Sequence, residues 1–282
     1  MNNFPKISVI TPSYNSGKYI EQAIQNVLLQ NYPNFEHIIV DGGSTDGTLD
    51  ILKKHSHLKW ISEPDNGQSD AMNKGFKMSS GEIIVYLNAD DYFEVKAFQR
   101  VMDFFGENPD VSFVVGKLKV LDSQGNYWIN DPKISFKEML YWWKPDAFSY
   151  NSSAYFYKRG VQEKVGPFDE KKHYALDYDF LLRVSLHYKL FKINETLGNY
   201  RYIKGTKTYE SCKTDHSKKQ LEFAKEFWKY LKLKESFLIR FSWSYYNDVS
   251  CCGKLLRFIM RVITKMHKVT LLLSHPNLKK KS

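Results

Sequence analysis

Cysteine is scarce in this chain: three residues in 282, Cys251 and Cys252 adjacent and Cys212 distant. That supply forms neither a paired disulfide framework nor a CxxC metal spacing, and a reducing cytosol is the compartment it predicts. Long apolar runs are missing too. None reaches the ~18 residues that would suggest a membrane span, and the opening Met1-Asn-Asn-Phe-Pro-Lys6 lacks the basic-then-apolar order of a secretion leader. The catalytic part is therefore expected to be neither secreted nor transmembrane. There is no internal repeat, and low complexity is confined to Lys279–Lys281. Acidic residues are short only at the end of the chain. The net charge is +10, but residues 231–282 hold eleven Lys/Arg and two Asp/Glu, leaving thirty basic and twenty-nine acidic residues before them. The body is nearly neutral and the tail is basic.

What is present is enough apolar content, 43% of the residues, to bury a full α/β core and carry an additional module. From residue 7 to about 105, strand and helix signals alternate: Ile7–Thr11, Lys18–Gln30, Phe35–Val40, Thr48–Lys54, Leu58–Ile61, Gln68–Met78, Glu82–Leu87 and Val95–Phe105. This pattern predicts a doubly wound, mostly parallel sheet. Val111–Val120 and Tyr127–Ile129, flanking Asp122-Ser-Gln-Gly-Asn126, predict an antiparallel hairpin. Residues 135–210 mix short elements with many aromatics, among them Tyr141, Trp142, Trp143, Phe148, Tyr150, Tyr155, Phe156 and Tyr157. In a chain that is 16% aromatic, such rings are core more often than they line an acceptor site.

Two acidic loops stand out because each directly follows a strand: Asp41-Gly-Gly43-Ser44-Thr-Asp46-Gly after Ile38–Val40, and Asn88-Ala89-Asp90-Asp91 after Ile83–Leu87. Ligands of open α/β sheets bind at such strand ends. A carboxylate at Asp41 can accept from a ring N–H of a base, while Gly42 and Gly43 let the backbone come close; Ser44, Thr45 and Asp46 are equally suited to capping the next helix. Thr11-Pro12-Ser-Tyr14-Asn15 offers backbone groups and a ring to a planar base, and is also explained as a strand-to-helix turn capped by Ser16. Asn88-Ala89-Asp90-Asp91 suits a Mg²⁺ or Mn²⁺ that takes one or two carboxylates and substrate phosphates. Alternation turns Asn88 and Asp90 toward one ligand and Asp91 into the supporting shell, though an Asx-rich turn opening a helix at Glu94 accounts for the same residues.

Taken together, Ile10–Asn15, Asp41–Thr48, Ser62–Gly75 and Leu87–Asp91 resemble, in order and spacing, the nucleotide-sugar-binding half of glycosyltransferase family 2. The resemblance implies a GT-A fold, a Rossmann-like α/β sheet flanked by helices, over residues 1–210 (nucleotide-sugar half 1–105, acceptor half 106–210), with a helical extension over 211–282. It implies that Thr11, Pro12 and Asp41 contact the base and ribose, that Asp70 and Lys74 lie near the sugar-phosphate side, and that Asp90 takes the metal. The family more often has Asp where this chain has Asn88, so ribose or water contact is expected there. More loosely, Val165–Asp169 and Ala175–Arg183 resemble the acceptor-side segment, which gives Asp177 the role of general base, with Asp179 and Arg183 as a supporting pair at i,i+4. Near Asn199–Thr206 the family usually has His where this chain has Tyr202, and Lys204 or Lys207 would stand in as the diphosphate contact.

The resemblance thus implies transfer of a sugar from a nucleoside-diphosphate sugar, UDP by family weight, to a hydroxyl of a glycan or lipid-linked acceptor, in surface polysaccharide assembly. One base opposite the leaving group implies a single displacement with inversion. In the tail, Lys254, Arg257, Arg261, Lys265 and Lys268 span an arc of roughly 80° at ~100° per residue, opposite Leu255, Ile259, Val262, Ile263 and Met266. A basic amphipathic helix of this kind is expected to lie on an anionic membrane, making the enzyme cytoplasmic and peripheral on the inner face. A docked helix with a solvated basic face fits the same spacing. No recognition motif accompanies the basic residues, so nucleic acid is not expected as a partner. Two competing functions are a sugar-phosphate nucleotidyltransferase, which would have a Gly-rich basic loop after the first strand, and an inactive scaffold, in which Asp41, Asp90 and Asp177 would be free to drift.

Overall fold

The computed structural model describes residues 4–204 apart from 143, 145, 173 and 174, then residues 206, 209, 225–231, 235, 238 and 239. The first compact unit runs from Met1 to Phe227. The expected boundary at residue 210 and the basic amphipathic helix at 254–268 lie outside the described residues.

The first unit starts with β1 (Ile7–Ser13), α1 (Ile20–Leu28), β2 (Phe35–Asp41), α2 (Thr48–Leu52), β3 (Leu58–Ser62), α3 (Gln68–Met78) and β4 (Ile83–Tyr86). It continues with β5 (Tyr92–Phe93), α4 (Ala97–Glu107), β6 (Phe113–Asp122), β7 (Tyr127–Asn130), α5 (Phe136–Met139), β8 (Tyr155–Lys158), α6 (Gly160–Val165), α7 (Leu176–His187) and β9 (Phe191–Tyr202). One sheet runs β3-β2-β1-β4-β8-β6-β9-β5, with β7 off this order and paired to residues 118–121 of β6. Strands β3, β2, β1 and β4 are parallel, β8 joins antiparallel to β4 and β6, and β6 and β9 are parallel again. The result is a mixed α/β sheet with flanking helices.

β1 is buried at every position, which is why it reads as a continuous run rather than an alternating one: a central parallel strand is covered on both faces. Helix α1 packs Ala23 and Val27 into the core of β1 and turns Ile20 and Ile24 toward Ile39 of β2 and Leu52 of α2. Helix α3 lies close on β1, because a Cβ at Gly75 would collide with the Ile10 side chain. The main core joins β1, α1 and β4 to α4 through Phe93, Phe98, Val101 and Phe156.

Chain order matters more than length here. The crossovers β1 to β2 to β3 step outward on one side of β1, and β4 then pairs on its other side. β1 and β4 therefore flank a switch point, where the strand ends splay apart and leave a crevice. One local expectation differs: after Asp91 the chain forms the short strand β5, and the helix opens at Ala97, not at Glu94 or Val95. The Asn26 side chain holds the strand by accepting from the Phe93 N–H (2.7 Å) and donating to the Phe93 carbonyl (3.1 Å).

Candidate active site

A cavity of about 780 Å³ opens at the carboxyl ends of β1 and β4, in the size range of ligand sites. Its walls include Pro12, Tyr14, Asn15, Asn88, Ala89, Asp90 and Asp177, so the β1 turn, the second acidic loop and the start of α7 converge on one space.

The β1 turn is held from behind by the first acidic loop. Asn15 has a left-handed φ of 47°; its backbone N–H donates to Ser44 Oγ (2.7 Å) and its Oδ1 accepts from the Thr45 N–H (2.9 Å). Asp46 Oδ2 accepts from the Gly17 N–H, and Thr48 Oγ1 accepts from the Ser16 N–H, both at 2.9 Å. Ser16 does not cap α1, whose N-cap is Tyr19; Ser16 Oγ donates to the Tyr14 carbonyl instead. Tyr14 is left 65% exposed on the cavity wall.

Asp41 is fully buried behind that wall. Its carboxylate accepts from the N–H groups of Gly43 (3.1 Å) and Ser44 (2.8 Å) and from the hydroxyls of Ser44 (2.5 Å) and Ser62 (2.7 Å). Gly43, at φ +84°, gives the turn that makes this possible. Thr11 is buried as well, with Oγ1 2.9 Å from His37 Nε2. Asp70 accepts from the Asn66 N–H and pairs with Lys74 (3.3 Å), which also reaches Glu63 (2.8 Å). Thr11, Asp41, Gly43, Ser44, Asp70, Lys74 and Lys204 do not line the cavity; Asp65, Gly67 and Gln68 do. Lys207 lies outside the described residues.

In the second acidic loop, Asn88 accepts from Gln68 Nε2 (2.8 Å) and donates to Asp91 Oδ2 (2.9 Å). Asp91 is buried and also accepts from Asn151 Nδ2 (2.7 Å) and the Arg201 N–H (3.1 Å). Arg201 donates to the Asp90 carbonyl (2.9 Å) and to Gln22 Oε1, with Tyr19 and Tyr92 rings against its guanidinium. Burial pushes the Asp90 carboxyl up, opposed by its own backbone N–H and by Arg201. Asp91 is held well above the usual carboxylate range by burial and by its neighbour Asp90. Two adjacent carboxylates in a poorly solvated loop thus favour a cation at the one that faces the cavity.

Among the described residues, no group of three or more His, Cys, Asp or Glu could hold an ion by itself. A Mg²⁺ or Mn²⁺ that keeps waters and shares substrate phosphates does not need such a group. The Asp90 carboxylate fits that ion: it lines the cavity, and among the described residues only its own backbone N–H donates to it.

Asp177 lies in the first turn of α7, where the helix dipole favours a carboxylate. Tyr155 Oη donates to Asp177 Oδ1 at 2.5 Å. The phenol is fully buried, and burial together with the Asp177 charge pushes its pKa well up, so it stays a donor. Two residues on, buried Asp179 accepts from Lys172 Nζ (2.6 Å) and Arg183 Nε (2.8 Å). Arg183 also donates to the Val165 carbonyl (2.8 Å), and Asn73 exchanges two 2.9 Å bonds with the Phe168 backbone, so this network fixes α7 against the preceding turn and α3. Sequence reasoning gave no role to Arg201, Asn151, Tyr155 or Lys172. Only tertiary contacts reveal them; Tyr155 in particular sits in a Tyr155-Phe-Tyr157 run that reads as core.

Of the aromatics singled out in the sequence, Phe148 and Tyr150 line the cavity, while Tyr155, Phe156 and Tyr157 are buried core. Trp128, Tyr178, Tyr200 and Tyr202 complete its aromatic side.

Residues 8–166 match the model of glycosyl transferase family 2. An uncharacterized glycosyltransferase of Nostoc sp. is 31% identical over 234 residues, 76% of this chain and 70% of the relative. The putative teichuronic acid biosynthesis glycosyltransferase TuaG of Bacillus subtilis is 38% identical over 109 residues, 36% of this chain and less than half (43%) of TuaG. A PGL/p-HBAD biosynthesis glycosyltransferase of Mycobacterium bovis is 29% identical over 64% of this chain and 69% of its own length. Among solved structures, S. aureus TarS 1–349 in complex with UDP-GlcNAc superposes with a TM-score of 0.66 at 21% identity, covering 89% of this chain and 78% of that one. The mannosyltransferase PcManGT from Pyrobaculum calidifontis, in complex with GDP-Man and Mn²⁺, gives 0.57 at 17%, covering 100% and 89%. These likenesses agree with the GT-A architecture of the sheet, and the chain belongs to glycosyltransferase family 2.

Proposed function

We propose that the chain moves a sugar from a nucleoside-diphosphate sugar, with UDP the favoured carrier, to a hydroxyl of a glycan or lipid-linked acceptor, by one inverting displacement that depends on Mn²⁺ or Mg²⁺. The observation that carries this reading is that two carboxylates from distant parts of the chain, Asp90 after β4 and Asp177 on α7, line the same cavity. The two have different surroundings: Asp90 has Arg201 behind it and no side-chain donor among the described residues, and Asp177 is held by a buried phenol. Asp90 would hold the metal, which when bound neutralises charge developing on the leaving diphosphate. Tyr14, Pro12 and Asn15 bound the nucleotide side, with the buried Asp41 loop fixing the turn that carries them.

Asp177 is the base that takes the proton from the attacking hydroxyl. A carboxylate is a weak base for a free alcohol, so the proton moves late, as the new C–O bond forms. The names of TuaG and of the PGL/p-HBAD glycosyltransferase support a role in surface polysaccharide or glycan biosynthesis. No helix among the described residues is long and apolar enough to cross a membrane. We place the enzyme at the inner face of the cell membrane through the basic residues 254–268; liposome binding that survives deletion from residue 236 onward would count against this. The test of the chemistry is transfer by wild type, Asp90→Ala and Asp177→Asn with each sugar nucleotide. Both variants should lose transfer by roughly 10²-fold or more, and the product anomer should be inverted relative to the donor.

A further inference from the structure

We infer that Arg201 is a positioning residue for the loop Asn88–Asp91: its side chain fixes the peptide that carries Asp90 and ties that loop to the start of α1, the helix that follows the nucleotide-side turn. This rests on the reading of Asp90 as the metal ligand.

Arg201 stands near the end of β9, between Tyr200 and Tyr202. Those two residues line the cavity, so alternation along the strand turns Arg201 to the opposite face, where it meets α1 and β5. From there it reaches the acidic loop twice. Its backbone N–H donates to Asp91 Oδ1 (3.1 Å), and its Nη1 donates to the Asp90 carbonyl (2.9 Å). The first bond survives replacement of the side chain; the second belongs to the guanidinium alone. A carbonyl held on the β9 side fixes the plane of the peptide between Asp90 and Asp91, and so restricts the direction in which the Asp90 side chain leaves the backbone.

The guanidinium is itself held. Its Nη2 donates to Gln22 Oε1 on α1, and the ring centres of Tyr19 and Tyr92 lie 5.5 Å and 5.1 Å from it. Tyr19, the N-cap of α1, also lines the cavity. Two nitrogens thus serve acceptors on two different elements while the group is packed by two rings, which is the work of a rigid planar fork. Charge alone does not explain the residue, because a cation this close to Asp90 opposes a second one, the metal. A lysine keeps the charge but has one nitrogen on a flexible stem and does not reproduce the fork.

The test measures UDP binding by the full-length protein in EDTA and in saturating Mn²⁺, by calorimetry and, for weak binding, ligand-observed NMR. It compares wild type, Arg201→Lys, Asp90→Ala and the double variant, with a thermal melt as the folding control. The readout is the factor by which Mn²⁺ tightens UDP, a coupling that reports the contact between the protein and the bound metal. Arg201→Lys should cut that factor by about tenfold, the equivalent of one hydrogen bond from a charged group, and leave UDP binding in EDTA unchanged. In the Asp90→Ala background the same replacement should change nothing, because Arg201 acts through Asp90. Gln22 is exposed on α1; Gln22→Ala should cut the factor by about threefold, and it carries the test if Arg201→Lys fails to fold. A factor that both replacements leave at its wild-type value, an equal fall in UDP binding with and without Mn²⁺, or a loss that persists in the Asp90→Ala background would overturn the inference and leave the donor reading standing. No Mn²⁺ effect in wild type would strike the metal reading itself, and the role of Arg201 with it.

Discussion

Replacing Tyr155 with Phe removes one hydroxyl from the interior and tests the role of Asp177 without touching the carboxylate. The bond at 2.5 Å is donated to Oδ1, and the Asp177 charge is one of the causes that raise the Tyr155 pKa. By reciprocity the bond favours the ionised form of Asp177. A hydrogen bond to a charged group contributes ~1.5–3 kcal/mol; Asp177 is half-buried, so the lower figure applies. Losing the bond should therefore move the acid limb of the kcat/KM profile to higher pH. At high pH, where Asp177 is ionised either way, activity should return to within about tenfold of wild type, well short of the 10²–10⁴-fold attributed to a missing base. The assay is transfer across pH 4–9, with melting temperature as the folding control. A uniform loss at every pH with the limb unmoved would refute the reasoning and reduce Tyr155 to packing.

Other outcomes follow from the same structure. Asp177→Asn should abolish transfer while leaving nucleotide binding intact, as measured by calorimetry with UDP and Mn²⁺. Arg183→Met leaves Asp179, only 2% exposed at its side chain, with one of its two cations; breaking such a buried pair should cost ~3 kcal/mol in chemical denaturation. His37 is fully buried and its pKa is pushed down to about 3, chiefly by burial. The unfolded chain takes up a proton that the folded chain does not, so stability is full above about pH 6.5 and falls by up to ~1.4 kcal/mol per pH unit as pH drops toward 3. His37→Gln should remove one proton's worth of that slope in denaturation series across pH 4–7.

The nucleotide-sugar half of the fold was legible because its information is local. Strand runs ending in acidic loops, the helix at Gln68–Met78 and the breaker residues between them are read from a few neighbouring positions, and the boundaries differ from expectation by a residue or two. The exceptions have tertiary causes. Strand β5 exists because Tyr92 and Phe93 pair with Asn199 and Gly198 of β9, while Asn26, almost seventy residues earlier, brackets the Phe93 backbone. The site divides in the same way. Asn88, Asp90 and Asp177 were visible through motif and alternation, and the structure brings them to one cavity. Asp41 was visible as a strand-end carboxylate, yet only the folded loop shows four donors converging on it. Arg201, Asn151 and Tyr155 come from elements distant in sequence from the carboxylates they touch, and no local periodicity marks them.

The most direct test of the account is a thermal-shift series with UDP, GDP, dTDP and CMP, with and without Mn²⁺, on wild type and Asp90→Ala. A ligand that binds only the native state raises the melting temperature. The account predicts a shift for one diphosphate, UDP first, that requires Mn²⁺ and disappears in Asp90→Ala. No shift with any nucleotide, or a shift that is the same without metal and in the variant, would contradict it.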